Sequence, residues 1–206
     1  MTFNWLDTAQ RLRAIAQTGL TYSKERFDRQ RYDELTVMAE AMLATLLAQT
    51  PEAIAHVFQL EQGYPTPKVD VRTAVFSEGR ILLVKEWFDG LWTMPGGWAD
   101  ELDSPKRAAE RECVEESGYI VQVTRLVSVK DRRAHPYEPQ HLGGVYKLFF
   151  LGEVIGGEAR VSEETTDVGF FELGELPPLS VSRTLRADIE QAWAHLNDPS
   201  LPTTFD

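Results

Sequence analysis

The sequence of 206 residues predicts an α/β protein in which a mixed sheet packs against helices, preceded by a small domain built of helices alone. Apolar residues in the first part of the chain recur every three or four positions, which is typical of amphipathic helices. After the segment GYPTPK, residues 63–68, apolar residues instead gather in runs rich in β-branched and aromatic side chains. Such runs are typical of strands.

Three helices are predicted before this change. Apolar residues lie at helical spacing along 5–16 and again along 35–46. A third, shorter helix starts at Thr50–Pro51, because a hydroxyl N-cap followed by proline favours a helix start. We expect it to reach Leu60 and to stop at Gly63.

The chain is therefore predicted to consist of a helical N-terminal domain at 1–63, a linker at 64–68 and a second domain at 69–206. About sixty residues can build only a small core. We expect the helical domain to be stabilised by the rest of the chain or by a second subunit.

The second domain contains five runs that predict strands, at 69–76, 81–87, 119–129, 144–155 and 167–173. The first two flank Ser77–Arg80, a sequence that predicts a hairpin turn. A helix is expected between the second and third strands, from Ser104–Pro105 to a stop at Gly118, and a last helix is expected at 182–196. The polar connection 130–143 is long enough to suggest a functional loop.

Composition excludes several classes of protein. The net charge of −11 disfavours a broad basic surface for nucleic acid, so nucleic acid is not expected as a partner. The single Cys113 rules out an internal disulfide. No secretory signal and no apolar run of about 20 residues is visible, so we expect a cytoplasmic protein with no membrane partner.

The predicted helix after the second strand carries an unusual acidic face. Glu112, Glu115 and Glu116 stand at i, i+3 and i+4, which places their carboxylates side by side. A solvated acidic face is the simplest interpretation of such a cluster. The alternative is a site for Mg²⁺, which binds one or two carboxylates together with phosphate oxygens. The preceding Gly96–Gly97 pair would let a backbone carbonyl approach the same ion.

The surrounding residues favour the second interpretation. The stretch GGWADELDSPKRAAERECVEESGY, residues 96–119, resembles the Nudix box, Gly-x5-Glu-x7-Arg-Glu-U-x-Glu-Glu-x-Gly-U, where U is a bulky apolar residue. Two positions depart from it: Asp103 stands where the family has Glu, and Cys113 occupies a bulky apolar position. We expect Cys113 to pack in the core and not to act as a nucleophile.

The resemblance implies an α-β-α sandwich and hydrolysis of nucleoside diphosphate conjugates with Mg²⁺ or Mn²⁺. It implies Glu112, Glu116 and the carbonyl of Gly96 as metal ligands, and Glu115 either as a ligand or as the residue that holds a metal-bound water. It also implies structural roles in the box for Gly97, Asp103, Arg111 and Gly118, with Asp103 bracing Arg111. As general base, Glu164 is the first choice and Glu163 the second, with Glu115 as a candidate inside the box; the two loop acids are equally well explained as ordinary surface residues.

The sequence indicates the substrate less directly than it indicates the reaction. The N-terminal helices and the segment LWTMPGGWAD resemble a bacterial subgroup of this family that includes ADP-ribose pyrophosphatase-like and CDP-choline pyrophosphatase-like proteins. This resemblance places CDP-choline slightly ahead of ADP-ribose, and it implies a homodimer joined through the helical domain. Candidate substrate-binding residues are Trp98, Arg132, Arg133 and Tyr137, although core packing or a solvated loop explains each one alone equally well.

The sequence is compatible with two other functions. A hydrolase acting on the 5′ end of RNA would need a locally basic pocket around Arg132 and Arg133, which the acidic composition disfavours. A nucleotide sensor without catalysis would not need to keep Glu112, Glu115 and Glu116 adjacent.

Overall fold

The computed structural model describes residues 4–59 and 62–206. The chain divides into two compact units, Met1–Pro67 and Lys68–Asp206, and the division lies at the end of the segment predicted as a linker. Each unit is described by itself. Within the two described ranges, none of the helices has the length and apolar character that crossing a bilayer requires.

The first unit contains the three predicted helices, α1 (Trp5–Tyr22), α2 (Arg26–Leu46) and α3 (Pro51–Gln59). The Asn4 side chain caps α1 by accepting hydrogen bonds from its first turn. Small buried residues form the contact between α1 and α2. An ion pair between Arg13 and Glu40, at 2.8 Å, joins the same two helices. The predicted end of the third helix at Leu60 lies outside the described residues.

The second unit is a mixed sheet with two long helices, as predicted, and the sheet has seven strands. The strands are β1 (Lys68–Ser77), β2 (Arg80–Glu86), β3 (Trp92–Thr93), β4 (Tyr119–Asp131), β5 (Val145–Gly157), β6 (Thr165–Glu172) and β7 (Thr204–Phe205); the helices are α4 (Pro105–Ser117) and α5 (Arg186–Asn197). The strand order is β3-β2-β1-β5-β4-β7, and β6 pairs with β2. The pairs β1–β5 and β4–β7 are parallel and the others antiparallel.

A tight turn joins β1 to β2 and confirms the predicted hairpin. Ser77 pairs with Arg80, so only Glu78 and Gly79 form the turn. Both have positive φ, 51° and 78°, as a type I′ turn requires.

The two helices cover opposite faces of the sheet, because neighbouring residues of a strand point to opposite sides. On one face Ala108 and Ala109 of α4 pack with Val71 of β1. On the other, Ile189 and Ala192 of α5 pack with a group that includes Ala74 of β1. This is the predicted α-β-α sandwich.

The last helix starts later than predicted, at Arg186 instead of Ser182. The residues before it form a turn in which the backbone amides of Arg183 and Thr184 both donate to Ser180, at 2.9 Å. The Thr184 hydroxyl lies 2.8 Å from that of Thr93, which ties the turn to β3. The two-residue strands β3 and β7 were not predicted, because two residues are too few for any periodicity.

We expect replacement of Gly118 by alanine to destabilise the protein by more than about 1 kcal/mol. Gly118 ends α4 with φ of 78°, and a β-carbon there would lie 2.4 Å from the Glu158 carbonyl oxygen. Gly174→Ala is the matched control, because nothing lies within 4 Å of its β-carbon position. Urea unfolding curves measure both; equal losses in the two variants would contradict the prediction.

Candidate active site

A cavity of about 390 Å³ opens in the second unit where the Gly96–Gly97 loop, α4 and β1 meet. Six of its lining residues are acidic and three are arginines. The lining residues are Asp70, Arg72, Glu86, Gly96, Gly97, Trp98, Asp100, Glu112, Glu116, Arg132, His141, Val145, Glu164, Ser182 and Arg183.

The glycine loop is fixed in place by β1. Backbone amides of Val71 and Thr73 donate to the carbonyls of Gly97 and Pro95, at 2.8 and 3.0 Å. Further along, Ala99 donates to the Val69 carbonyl at 2.9 Å. The loop therefore runs beside β1 like an additional strand, and its backbone position follows from the sheet.

A side chain at Gly96 would collide with the backbone, and one at Gly97 would displace the Glu112 carboxylate. Gly96 has φ of 146°, and a β-carbon there would lie 2.0 Å from the Val71 carbonyl oxygen. A β-carbon on Gly97 would lie 2.8 Å from the Glu112 carboxylate. The backbone thus approaches α4 closely enough for the Gly96 amide to donate to Glu116 at 2.8 Å.

The acidic residues of α4 differ in burial and in hydrogen-bond partners. Glu112 and Glu116 are buried, with 8% and 4% of their surface exposed, and both line the cavity. Glu115 is exposed and accepts a hydrogen bond from Arg111 at 2.7 Å, so its carboxylate is not among the lining groups. Glu110 accepts from the Val123 amide at 2.9 Å and serves the contact of α4 with β4.

Burial controls the electrostatics of the carboxylates that line the cavity. Burial raises the pKa of Glu116 to about 8, with Glu86 and Glu112 adding to the rise, although Arg72 and the Gly96 amide oppose it. Burial also raises the pKa of Glu112 and of Glu86. Burial therefore disfavours the charged form of all three carboxyls.

Arg111 organises the outer side of the box. It lies 3.0 Å from Asp103, the residue predicted to brace it, and it also contacts Glu112 and Glu115 at 2.8 and 2.7 Å. A further hydrogen bond at 3.3 Å reaches the Trp98 carbonyl. The shorter Asp103 side chain is long enough to make this contact.

The chemistry of these residues fits a divalent cation. The raised pKa values indicate that a nearby positive charge would stabilise the charged carboxylates. Gly97 has no β-carbon, and the space that one would fill leaves the Glu112 oxygens accessible. Among the described residues, no three His, Cys, Asp or Glu side chains have the spacing of metal ligands. Two carboxylates with backbone, water or phosphate oxygens form the set that Mg²⁺ accepts.

The structure brings some of the other predicted site residues to the cavity. Glu164, Trp98 and Arg132 line it. The Glu164 backbone carbonyl accepts from the Trp87 amide at 3.0 Å, which holds its loop beside β2. Glu163 is exposed in the same loop and does not line the cavity.

Two predicted substrate-binding residues lie elsewhere. Tyr137 is fully buried, and its hydroxyl donates to Asp188 at 2.8 Å, so its ring faces the core and not a base. Arg133 is exposed and forms an ion pair with Asp131 at 2.8 Å. Neither side chain reaches the cavity.

Several cavity residues were not predicted. Asp70 and Arg72 on β1, Glu86 at the end of β2 and Arg183 before α5 all line it. Asp70 and Arg72 carry a recognisable signal, since VDVRTAVF places two charged residues at alternate positions of an apolar strand. Glu86 and Arg183 form an ion pair at 2.8 Å that only the tertiary fold reveals.

Cys113 lies in the core beneath the site, as predicted. Its thiol is fully buried beside Val75, Leu82 and Val121, and burial raises its pKa to about 12. A thiol in this state is unreactive.

We expect the metal-free protein to lose stability as the pH rises from about 4.5 to about 8. The Glu116 pKa in the fold, about 8, exceeds its ordinary value of 4.5, so folding favours the protonated carboxyl. The contribution of the Glu116 carboxyl to stability is complete below pH 4.5 and is lost above about pH 8. Melting temperatures across this range in a chelator measure the slope, and Glu116→Gln should flatten it; an unchanged slope in that variant would contradict this account.

Comparison with known proteins agrees with the fold and the box. Residues 4–58 match the family described as a UDP-X-like, N-terminal oligomerisation domain, and residues 66–192 match the NUDIX domain. A Bacillus subtilis protein named "Putative ADP-ribose pyrophosphatase YjhB" is 42% identical over 204 residues, which cover 98% of this chain and 97% of that protein.

Two solved structures are similar over much of the chain. A UDP-X diphosphatase is 30% identical, with a TM-score of 0.64 and coverage of 98% of both chains. An ADP-ribose pyrophosphatase from Streptococcus suis is 38% identical, with a TM-score of 0.63, and covers 68% of this chain and 100% of its own. The family predicted from the box is thus confirmed: the chain belongs to the Nudix hydrolases.

Proposed function

We propose that this enzyme hydrolyses the diphosphate bond of a nucleoside diphosphate conjugate with the help of Mg²⁺ or Mn²⁺. The observation that carries the proposal is the pair of buried carboxylates, Glu112 and Glu116, facing one cavity beside the Gly96–Gly97 loop. A cation-dependent reaction also explains how a chain of net charge −11 would hold a polyanion.

The names of the similar proteins support a substrate of the ADP-ribose or UDP-X kind. We therefore place ADP-ribose and UDP-linked conjugates ahead of CDP-choline, which reverses the ranking suggested by the sequence. CDP-choline stays within the proposed class, because the box specifies the bond cleaved and not the leaving group.

Glu112 and Glu116 would hold the cation, with the Gly96 carbonyl as a further ligand. When bound, such a cation neutralises phosphate charge and lowers the pKa of a coordinated water. The chain's own contribution is to keep the two carboxylates in place: the Gly96 amide orients Glu116 and Arg111 orients Glu112.

We assign the general base to Glu164. It lines the cavity, whereas Glu115 is paired with Arg111 and neither Glu115 nor Glu163 is among the lining residues. Position at the cavity comes before pKa when a proton acceptor is chosen. Glu164 on its loop is thus the group best placed to take a proton from the attacking water.

The nucleoside would lie at the end of the cavity formed by Trp98, Arg132 and His141. Trp98 is half exposed, its ring lies 6.0 Å from that of His141, and the Lys68 ammonium lies 5.8 Å from its centre, so a base would stack on the exposed part of the indole. Arg132 is held by a hydrogen bond of 2.6 Å to the Pro139 carbonyl.

The helical unit would join two copies of the chain. Large apolar side chains of its helices remain exposed, among them Trp5, Phe27 and Val37. The oligomerisation role in the description of the matching family supports the same proposal, and a two-fold homodimer is the commonest such assembly. The cytoplasmic location stays a prediction.

A panel of ADP-ribose, UDP-glucose, CDP-choline and 5′-triphosphorylated RNA, each with Mg²⁺ or Mn²⁺, tests the function. We expect turnover of at least one nucleotide conjugate with release of the nucleoside monophosphate. Glu116→Gln should lower this rate by about 100-fold or more, because it weakens cation binding at the reacting phosphate.

Glu78→Gln is the matched control, since Glu78 is an exposed acid in the β1–β2 turn and should leave the rate unchanged. Turnover of RNA alone would favour the RNA-directed hydrolase. Conjugate binding without turnover at saturating cation would favour a sensor, and either result would overturn the proposal.

A further inference from the structure

Three charged side chains form a buried row beside the cavity, and two of them, Asp70 and Arg72, line it. Asp70 on β1 stands directly opposite Lys147 on the parallel strand β5, and Arg72 follows two residues later on the same face of β1. All three are buried, Lys147 completely. Lys147 donates to one Asp70 oxygen, and Nε of Arg72 donates to the other at 2.8 Å.

The guanidinium of Arg72 is held through two of its three nitrogens. Its Nε contacts Asp70, and its Nη1 donates to the Met94 carbonyl at 3.2 Å and contacts the Thr93 hydroxyl at 3.4 Å. Within the part of the chain that the structure describes, Nη2 makes no hydrogen bond, and the residue lines the cavity. Arg72 therefore presents a donor to the space beside Glu116.

Stability does not account for this arrangement. The attraction within a buried ion pair is little larger than the free energy lost when its charges leave water. An apolar pair of similar volume stabilises a core equally well. The row instead fixes the direction of one guanidinium. An arginine fixed in this way is suited to oxygen atoms of phosphate, because its donors lie in a rigid plane.

We propose that Arg72 binds a non-bridging oxygen of the substrate's diphosphate, and that Lys147 positions Arg72 by acting through Asp70. This inference rests on the proposed function and adds to it the residue that recognises the diphosphate. Arg72 supplies a fixed positive charge on the floor of the cavity, beside the acids of α4. Lys147 has no contact with the ligand and is a positioning residue.

Binding of ADP and UDP, each compared with its nucleoside, tests the role of Arg72. Arg72→Lys keeps the charge but removes the planar fork, so we expect at least one diphosphate to bind about tenfold or more weakly. Binding of adenosine or uridine should not change. Arg80→Lys is the matched control, because Arg80 is an exposed arginine at the start of β2.

Unchanged binding of both diphosphates in Arg72→Lys would overturn the proposal, as would a wild-type protein that binds neither. Because binding is measured without turnover, these results stand apart from a failure of the proposed hydrolysis. Arg72→Gln provides a second variant if melting curves show that Arg72→Lys is unfolded.

A double-mutant cycle tests the role of Lys147. Lys147→Met should weaken diphosphate binding in the wild-type background but add almost nothing in Arg72→Lys, because Lys147 acts only through Arg72. In turnover, Lys147→Met should raise KM more than it lowers kcat. Lys106→Met, at an exposed lysine of α4, is the control.

Losses that add independently in the double variant would show that Lys147 has only a structural role and would overturn this part of the proposal. If Lys147→Met does not fold, Asp70→Asn breaks the same link at constant volume and takes its place in the cycle.

Discussion

The hydrogen bond from the Gly96 amide to Glu116 is the interaction on which the site depends. It forms because the loop is paired with β1 on one side, while α4 lies close to the sheet through the small residues Ala108 and Ala109. Any side chain at Gly96 would collide with the Val71 carbonyl. The sheet, the loop and the helix thus specify one position for a carboxylate that would otherwise be too costly to bury.

The cavity brings together two kinds of charge. Carboxylates of α4 line one side, and Arg72 lies on the floor, supported by Asp70 and Lys147. On the proposed function, a cation and a diphosphate that arrive together would satisfy both kinds of charge at once.

Features that lie close together in the sequence explain which parts of the candidate site could be predicted. The Ser104 cap, the helical spacing of Glu112 and Glu116, and the stop at Gly118 all lie within residues 104–118, so the sequence predicts the helix and the side of it that lines the cavity. Asp70 and Lys147 are 77 residues apart, and only the β1–β5 register brings them together. Tyr137 was assigned to the ligand because its loop is polar, yet a buried bond to Asp188 holds it in the core.

Calorimetric titration with Mn²⁺ tests the central claim most directly. Near pH 7 the Glu116 carboxyl, with a pKa of about 8, is largely protonated, so cation binding there must release a proton. We predict a binding enthalpy that differs between two buffers of different protonation enthalpy, and loss of binding in the Glu112→Gln, Glu116→Gln double variant. Equal enthalpies in both buffers, or undiminished binding in the double variant, would contradict the account.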